Sequence, residues 1–222
     1  MSSPIKISPK SEALAIASIA ITILASFYFY FNFPPQVPIH WNIRGQPDDY
    51  SGKTFAAFFF PVLIIFFYLL FLALPFIDPK KDRYQEFAHV YHLFKNFLVL
   101  FLILLYFLMG IAGLGYAIKM NFIVPWLVGL LFIVFGLNMG QIKPNWFIGI
   151  RTPWTLSSEE VWRKTHEVGG KLFAGAGLLF LIIPFLSATL IFSLIIILIL
   201  IFVFGTLVYS YWLYRQEEKK KQ

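Results

Sequence analysis

Leucine, isoleucine, valine and phenylalanine run together along most of this chain, and the polar interruptions are short. Between Lys171 and Arg215 lie 43 residues without Asp, Glu, Lys, Arg or His. The hydrocarbon core of a bilayer is about 30 Å thick and a helix rises about 1.5 Å per residue, so one crossing takes about 20 residues. The charge-free window therefore holds two crossings, divided at Pro184, Ser187 and Thr189. The same reading gives six apolar segments: residues 13–31, 55–77, a run between Lys95 and Lys119, then 122–139, 172–186 and 190–214. They are apolar all round and lack the period-2 alternation of a barrel, so each is expected to be a helix. The expected fold class is an all-α polytopic membrane protein with six transmembrane helices.

Charge sets the expected orientation. With the N-terminus inside, Lys6, Lys10, Lys80, Lys81, Arg83, Lys95, Lys143, Arg151, Arg163, Lys164, Lys171, Arg215, Lys219, Lys220 and Lys221 face the cytoplasm. Only Arg44, Lys53 and Lys119 fall outside, a strong positive-inside bias with both termini in. Net charge is +7, and this topology together with anionic lipid accounts for it, so no direct nucleic-acid role is expected. The first apolar run is too long for a signal-peptide core and no A-x-A site follows it, so it reads as a retained helix.

Composition agrees. Charged residues make up 13% of the chain, against about 25% in a soluble domain. There is no cysteine, which removes disulfides, thiolate metal sites and a cysteine nucleophile. No Asp or Glu falls inside the six segments, where Asn96 and Asn138 are the polar candidates. That argues against an ion-coupled carrier, which needs ionisable groups at depth. Gly170, Ala174 and Gly177 form a small-residue stripe, read as packing within the chain in preference to a homodimer face.

Candidate chemistry sits in the polar loops. The outer loop, residues 32–54, holds Pro34, Pro35, Pro38 and Pro47. These favour an extended stretch followed by a turn around residues 42–49, with Gly45 at positive φ. Trp41 and Tyr50 suit the headgroup level. His40 with Asp48 and Asp49 makes a thin metal candidate, and a hydrogen-bonded turn is the favoured reading. The inner loop, residues 140–171, shows Ser157 and Glu160 at capping-box spacing, and Glu159–Arg163 and Glu160–Lys164 as i,i+4 pairs. A short amphipathic helix at the inner interface is expected there, leading through Gly169-Gly170 into the fifth span. Glu86, His89 and His92 step by three in the remaining inner loop; with His166 or Glu167 they form a weak metal candidate. H-E-x-x-H, G-x-S-x-G, P-loop and dinucleotide fingerprints are absent. No cofactor is implied.

Two motifs carry a resemblance. V-P-I-H-W-N-I-R-G-Q-P-D-D-Y, within residues 35–50, resembles the signature of a small bacterial and archaeal membrane domain of unknown function. N-W-F-I-G-I-R-T-P-W-T-L, residues 145–156, with V-W-R-K-T-H-E-V-G-G, residues 161–170, is similar to the core of the SdpI family. That family is named for an immunity protein against a secreted, membrane-permeabilising peptide toxin; its founding member is also described as holding a transcriptional repressor at the membrane. The resemblance implies a tail at 1–12, a two-helix domain at 13–77, an SdpI-like four-helix domain at 78–214 and a basic tail at 215–222. It singles out His40, Trp41, Asn42, Gly45, Pro47 and Asp48 outside. Inside it singles out Asn145, Gly149, Arg151, Thr152, Pro153, Trp154, Trp162, Thr165, His166 and Gly170. It carries over no catalytic residue. The implied partners are the bilayer, a peptide toxin outside and a cytoplasmic repressor, with the oligomeric state open. The alternatives are a transporter or permeability factor, and a membrane enzyme using the inner His/Glu cluster. Arg151 is expected either to pair with an anion or stack on Trp154 or Trp162, or merely to snorkel.

Overall fold

A computed structural model describes residues 4–221; residues 1–3 and 222, at the ends of the two expected tails, lie outside the described residues. Among the described residues six helices are long and apolar enough to cross a membrane. They are α1 (Pro9–Asn32), α2 (Lys53–Ile77), α3 (Ala88–Gly113), α4 (Met120–Met139), α6 (Glu159–Ile182) and α7 (Ala188–Lys221), with a short α5 (Pro153–Ser157) between α4 and α6. The six expected spans are therefore present, and the chain is a multi-pass membrane protein.

Two boundaries differ from the sequence reading. Helix α1 starts at Pro9, inside the expected tail, because Ser8 caps it: the Ser8 hydroxyl accepts from the Ser11 N–H at 3.2 Å, with proline at the first helical position. This start brings Glu12 into the helix. The fifth span also begins early. The expected separate amphipathic helix and span form one continuous α6 running through Gly169-Gly170, capped by Ser158 and not by Ser157. Ser157 closes α5 instead, its hydroxyl donating to Pro153 O at 2.6 Å.

The chain divides into two compact units that interleave along the sequence. Among the described residues, 7–73 and 93–127 form one; 4–6, 74–92 and 128–221 form the other. The division crosses the expected boundary at residues 77/78, since most of α3 groups with α1 and α2.

In the first of these units Phe29, Phe33, Val37, Ala57, Tyr68, Ile103 and Tyr106 belong to one buried cluster. Phe29 and Phe33 stack at 5.2 Å between ring centres. A side chain at Gly110 would begin 2.3 Å from the Phe29 ring, and one at Gly113 would begin 2.7 Å from Val37, so glycine on α3 lets these groups seat. Tyr106 Oη donates to Ala57 O at 2.8 Å, satisfying the phenol where water is scarce. The outer-loop segment forms an antiparallel hairpin, β1 (Gln36–Trp41) and β2 (Pro47–Gly52). The sequence reading specified its extended stretch and turn but not the strand pairing. Gly45 takes φ +75°, as expected of the turn.

In the other unit α4 and α6 meet through small residues. A side chain at Gly177 would begin 2.6 Å from Gly129 O, and one at Gly170 would begin 2.5 Å from Gly136 O. The Gly170/Ala174/Gly177 stripe thus packs against the chain's own α4. Close backbone approach is how helices gain contact in lipid, where apolar burial against lipid tails gives little drive. The turn into α7 falls at residues 183–187, as expected. At 34 residues, α7 is longer than one crossing needs.

Candidate functional site: the closed motif loop

Residues 143–170 build their site almost entirely from mutual hydrogen bonds. Asn145 is fully buried. Its Nδ2 donates to Lys143 O and Ile148 O, both at 2.9 Å. Its Oδ1 accepts from Phe147 N–H at 2.9 Å and Ile148 N–H at 2.7 Å. A carboxamide offers two donors and two acceptor lone pairs, so every one is used. This folds residues 143–148 into a tight turn that leaves Trp146 47% exposed.

Gly149 follows at φ +114°, a conformation that favours glycine. It presses against His166, where a Cβ would begin 2.3 Å from Nε2. The next amide, Ile150 N–H, donates to that Nε2 at 2.9 Å. Nε2 is therefore the acceptor, and Nδ1 carries the proton it donates to Trp162 O at 2.8 Å. His166 is completely buried and fixed as one neutral tautomer. The Trp162 ring stacks on it at 4.1 Å and 20°, and Trp162 Nε1 donates to Ile142 O at 2.8 Å. One α6 face, carrying Trp162, Thr165, His166 and Gly169, is thus the wall on which the loop closes.

The chain then enters α5 through a reciprocal cap. Thr152 Oγ1 accepts from Thr155 N–H at 3.1 Å, and Thr155 Oγ1 accepts from Thr152 N–H at 2.8 Å. Pro153 occupies the first helical position, where a missing N–H costs nothing. Thr152 Oγ1 also donates to Ser210 Oγ at 3.0 Å, Trp154 lies 5.0 Å from Tyr211, and Ser158 Oγ donates to Glu217 at 2.5 Å. Three contacts therefore tie this stretch to α7. The signal for α5 was present in the sequence as Thr-Pro followed by Thr, but it was not read as a helix start.

Asp78 is the residue the sequence reading missed here. It is 2% exposed and accepts from Lys80 N–H at 2.7 Å, Tyr84 Oη at 2.9 Å and Trp146 N–H at 2.9 Å. Taken only as the end of a span, it is the hub that fixes the motif loop to the segment after α2.

The charged groups sit differently from expectation. Arg151 is exposed, and its guanidinium donates to Trp146 O; among the described residues it has no ion pair and no ring beneath it. Glu159 pairs with Arg83 at 2.7 Å and not with Arg163, because Arg163 bridges Glu160 and Glu167 at 2.8 and 2.6 Å. Lys164 reaches Glu160 at 3.1 Å, the one expected i,i+4 pair that forms. Such exposed pairs add little to stability. A shallow cleft of about 250 Å³ lies between Lys80, Asp82, Arg83, Pro144 and Glu159. Lysine can still donate to a carbonyl, so Arg151→Lys is expected to keep wild-type membrane abundance and melting temperature. Arg151→Ala should lose about 1 kcal/mol with the hydrogen bond. A lysine variant as damaged as alanine would show that the guanidinium plane is required.

The metal candidates do not converge. Among the described residues no three His, Cys, Asp or Glu side chains gather at metal distance. His166 uses both ring nitrogens inside the loop, Glu86 pairs with Arg83 at 2.9 Å, His92 Nε2 lies 3.2 Å from Lys6 O, and His89 is exposed.

In the hairpin, His40 Nδ1 meets Asp48 Oδ1 at 2.5 Å across the strands, with both side chains largely exposed. Asn42 shapes the turn: Oδ1 accepts from Arg44 and Gln46 N–H at 2.9 and 3.1 Å. Trp41 pairs with Pro47 across the strands and packs on the buried cluster of its unit. A Cβ at Gly45 would begin 2.9 Å from Asn121. The favoured reading of a hydrogen-bonded turn is what these bonds form.

A second polar cluster was not anticipated. Glu12 on α1 is 4% exposed and Lys95 on α3 is fully buried. The Lys95 ammonium donates to Glu12, which also accepts from Tyr68 Oη at 3.0 Å and Ser11 Oγ at 2.9 Å. The expectation that no acidic group lies within the spans is therefore corrected.

Comparison with known proteins gives two partial family matches and one relative. Residues 141–210 match the SdpI/YfhL protein family, and residues 17–65 match a domain of unknown function, DUF1648. Immunity protein SdpI of Bacillus subtilis (strain 168) is 27% identical over 207 residues, 93% of this chain and 97% of that protein. No solved structure matches the chain. The closed loop of residues 143–158 falls inside the first match and β1 and β2 inside the second, so this multi-pass membrane protein is similar to the SdpI/YfhL family over residues 141–210 and to DUF1648 over residues 17–65.

Proposed function

We propose that this chain is a cell-membrane immunity protein of the SdpI type, acting by binding and not by catalysis. The observation that carries this reading is the alignment, nearly end to end, with a relative named as an immunity protein. The positive-inside bias adds an orientation, with both termini and the motif loop in the cytoplasm and the hairpin outside. In that orientation the hairpin meets a membrane-active peptide, and the motif loop with the first turns of α6 faces a cytoplasmic partner such as a repressor. Chemistry on the site supports a binding role. The one buried histidine of the loop is locked between a backbone donor and a backbone acceptor, so it has no lone pair or proton to exchange. For a signal to cross, the peptide must bind two arrangements of the helices unequally.

Expression in a host killed by a membrane-permeabilising peptide toxin tests the proposal. Cells carrying the chain should survive doses that kill the empty host. Equal killing, with the protein confirmed in the membrane, contradicts it. The buried Glu12–Lys95 pair favours a second reading, a transporter or permeability factor, because ionisable groups buried between spans suit ion binding. Solute flux into proteoliposomes above that of empty liposomes would be its signature.

A further inference from the structure

The Glu12–Lys95–Tyr68 cluster joins three helices at one end of the unit formed by residues 7–73 and 93–127. Glu12 lies in the first turn of α1, Lys95 in the early turns of α3 and Tyr68 about two and a half turns before the end of α2. The side chains of Lys95 and Glu12 are 0% and 5% exposed. Lys95 also lies 5.3 Å from the centre of the Tyr68 ring, and Asn96 Nδ2 reaches Ser11 O at 3.4 Å. A pair of this kind adds little net stability, because desolvation offsets most of the attraction; removing one partner is severe, because the other charge is left buried alone.

The opposite end of the same helices carries the hairpin. Helix α1 ends at Asn32 and β1 starts at Gln36, while β2 ends at Gly52 and α2 starts at Lys53, so neither join has slack. Phe29, Phe33 and Val37 seat on Gly110 and Gly113 of α3. From Glu12 to Phe33 along α1 is about 30 Å.

We propose that the Glu12–Lys95–Tyr68 cluster is a latch that holds these three helices closed, and that its state is coupled to the root of the hairpin at the far end. Breaking the pair releases α1 from α3, and a rigid α1 carries that movement to Phe33 and Val37. Coupling between two sites is reciprocal, so whatever displaces the hairpin root weakens the latch. The proposal needs no particular ligand and stands apart from the immunity reading.

The chain contains no cysteine, so single reporters are clean. Ala15, 3% exposed, reports near the latch, and Val37, 0% exposed, reports at the hairpin root. Ala15→Cys and Val37→Cys are made separately in the full chain in nanodiscs and labelled with a membrane-permeant maleimide. Glu12→Gln is expected to speed labelling about tenfold at both positions, and the exchanged pair Glu12→Lys with Lys95→Glu to return it towards the wild-type rate. Unchanged labelling at Ala15→Cys overturns the latch, and faster labelling there with Val37→Cys unchanged overturns the coupling. Should Glu12→Gln fail to accumulate, the exchanged pair decides alone: accumulation with slow labelling at both reporters supports the proposal, and failure to accumulate or fast labelling overturns it.

Discussion

Gly149→Ala is expected to destabilise the protein by about 3 kcal/mol or more, through two separate costs. The added Cβ would begin 2.3 Å from His166 Nε2, so the imidazole or the backbone must move. Either movement breaks the bond from Ile150 N–H and leaves a buried donor and acceptor unpaired, at about 1–3 kcal/mol. A side chain held at φ +114° adds strain of the order of 1–3 kcal/mol. Gly175→Ala is the matched control: nothing lies within 4 Å of its Cβ, and helix propensity favours alanine by about 1 kcal/mol. Thermal unfolding in detergent should separate the two variants clearly. A Gly149→Ala protein that melts with the wild type would show that the loop does not close on His166.

The second large effect is expected at Trp162. The residue is 1% exposed, stacks on His166 and donates to Ile142 O. Trp162→Ala removes a buried aromatic and should cost about 3–5 kcal/mol, with loss of protein from the membrane. Trp162→Phe keeps a ring against His166 but drops the donor, leaving Ile142 O unpaired; about 1–2 kcal/mol is expected. The order wild type, phenylalanine, alanine in melting temperature checks the assignment. Alanine equal to wild type would mean that the ring is not part of the closed loop.

Both residues were visible in the sequence as members of a motif, but their work was not. Resemblance selects Gly149, Trp162 and His166 without saying that they touch: Trp162 and His166 meet one turn apart on α6, but their contacts to Ile142, Gly149 and Ile150 join α6 to the loop before it. Spans were legible because membrane thickness acts on length and composition alone. The turn at Gly45 was legible because proline and glycine restrict the backbone locally. Pairing of β1 with β2 was not: QVPIHW alternates, with Val37, Ile39 and Trp41 on the face packed against the buried cluster, but Pro38 interrupts it and PDDYSG shows no matching alternation. The cap of α6 was misplaced by one residue because Ser157 and Ser158 both suit the position. Lys95 bounds the expected third span as an inner charge, and Glu12 falls in the expected tail. Each sits next to an apolar run, and only packing shows that they are buried against one another. Asp78 was overlooked for the same reason: its three donors come from Lys80, Tyr84 and Trp146, the last of them 68 residues away.

The polar motif loop is a closed, pre-folded structure made by its own side chains. Amide hydrogen exchange on the purified chain in nanodiscs tests it most directly. Phe147 and Ile148 N–H donate to Asn145, and Ile150 N–H donates to His166, although none lies in a helix or strand. The account predicts that these amides exchange as slowly as those in the neighbouring turns of α6, and that Asn145→Ala exposes the first two while His166→Ala exposes the third. Exchange at the rate of an open loop in the wild-type protein would contradict it.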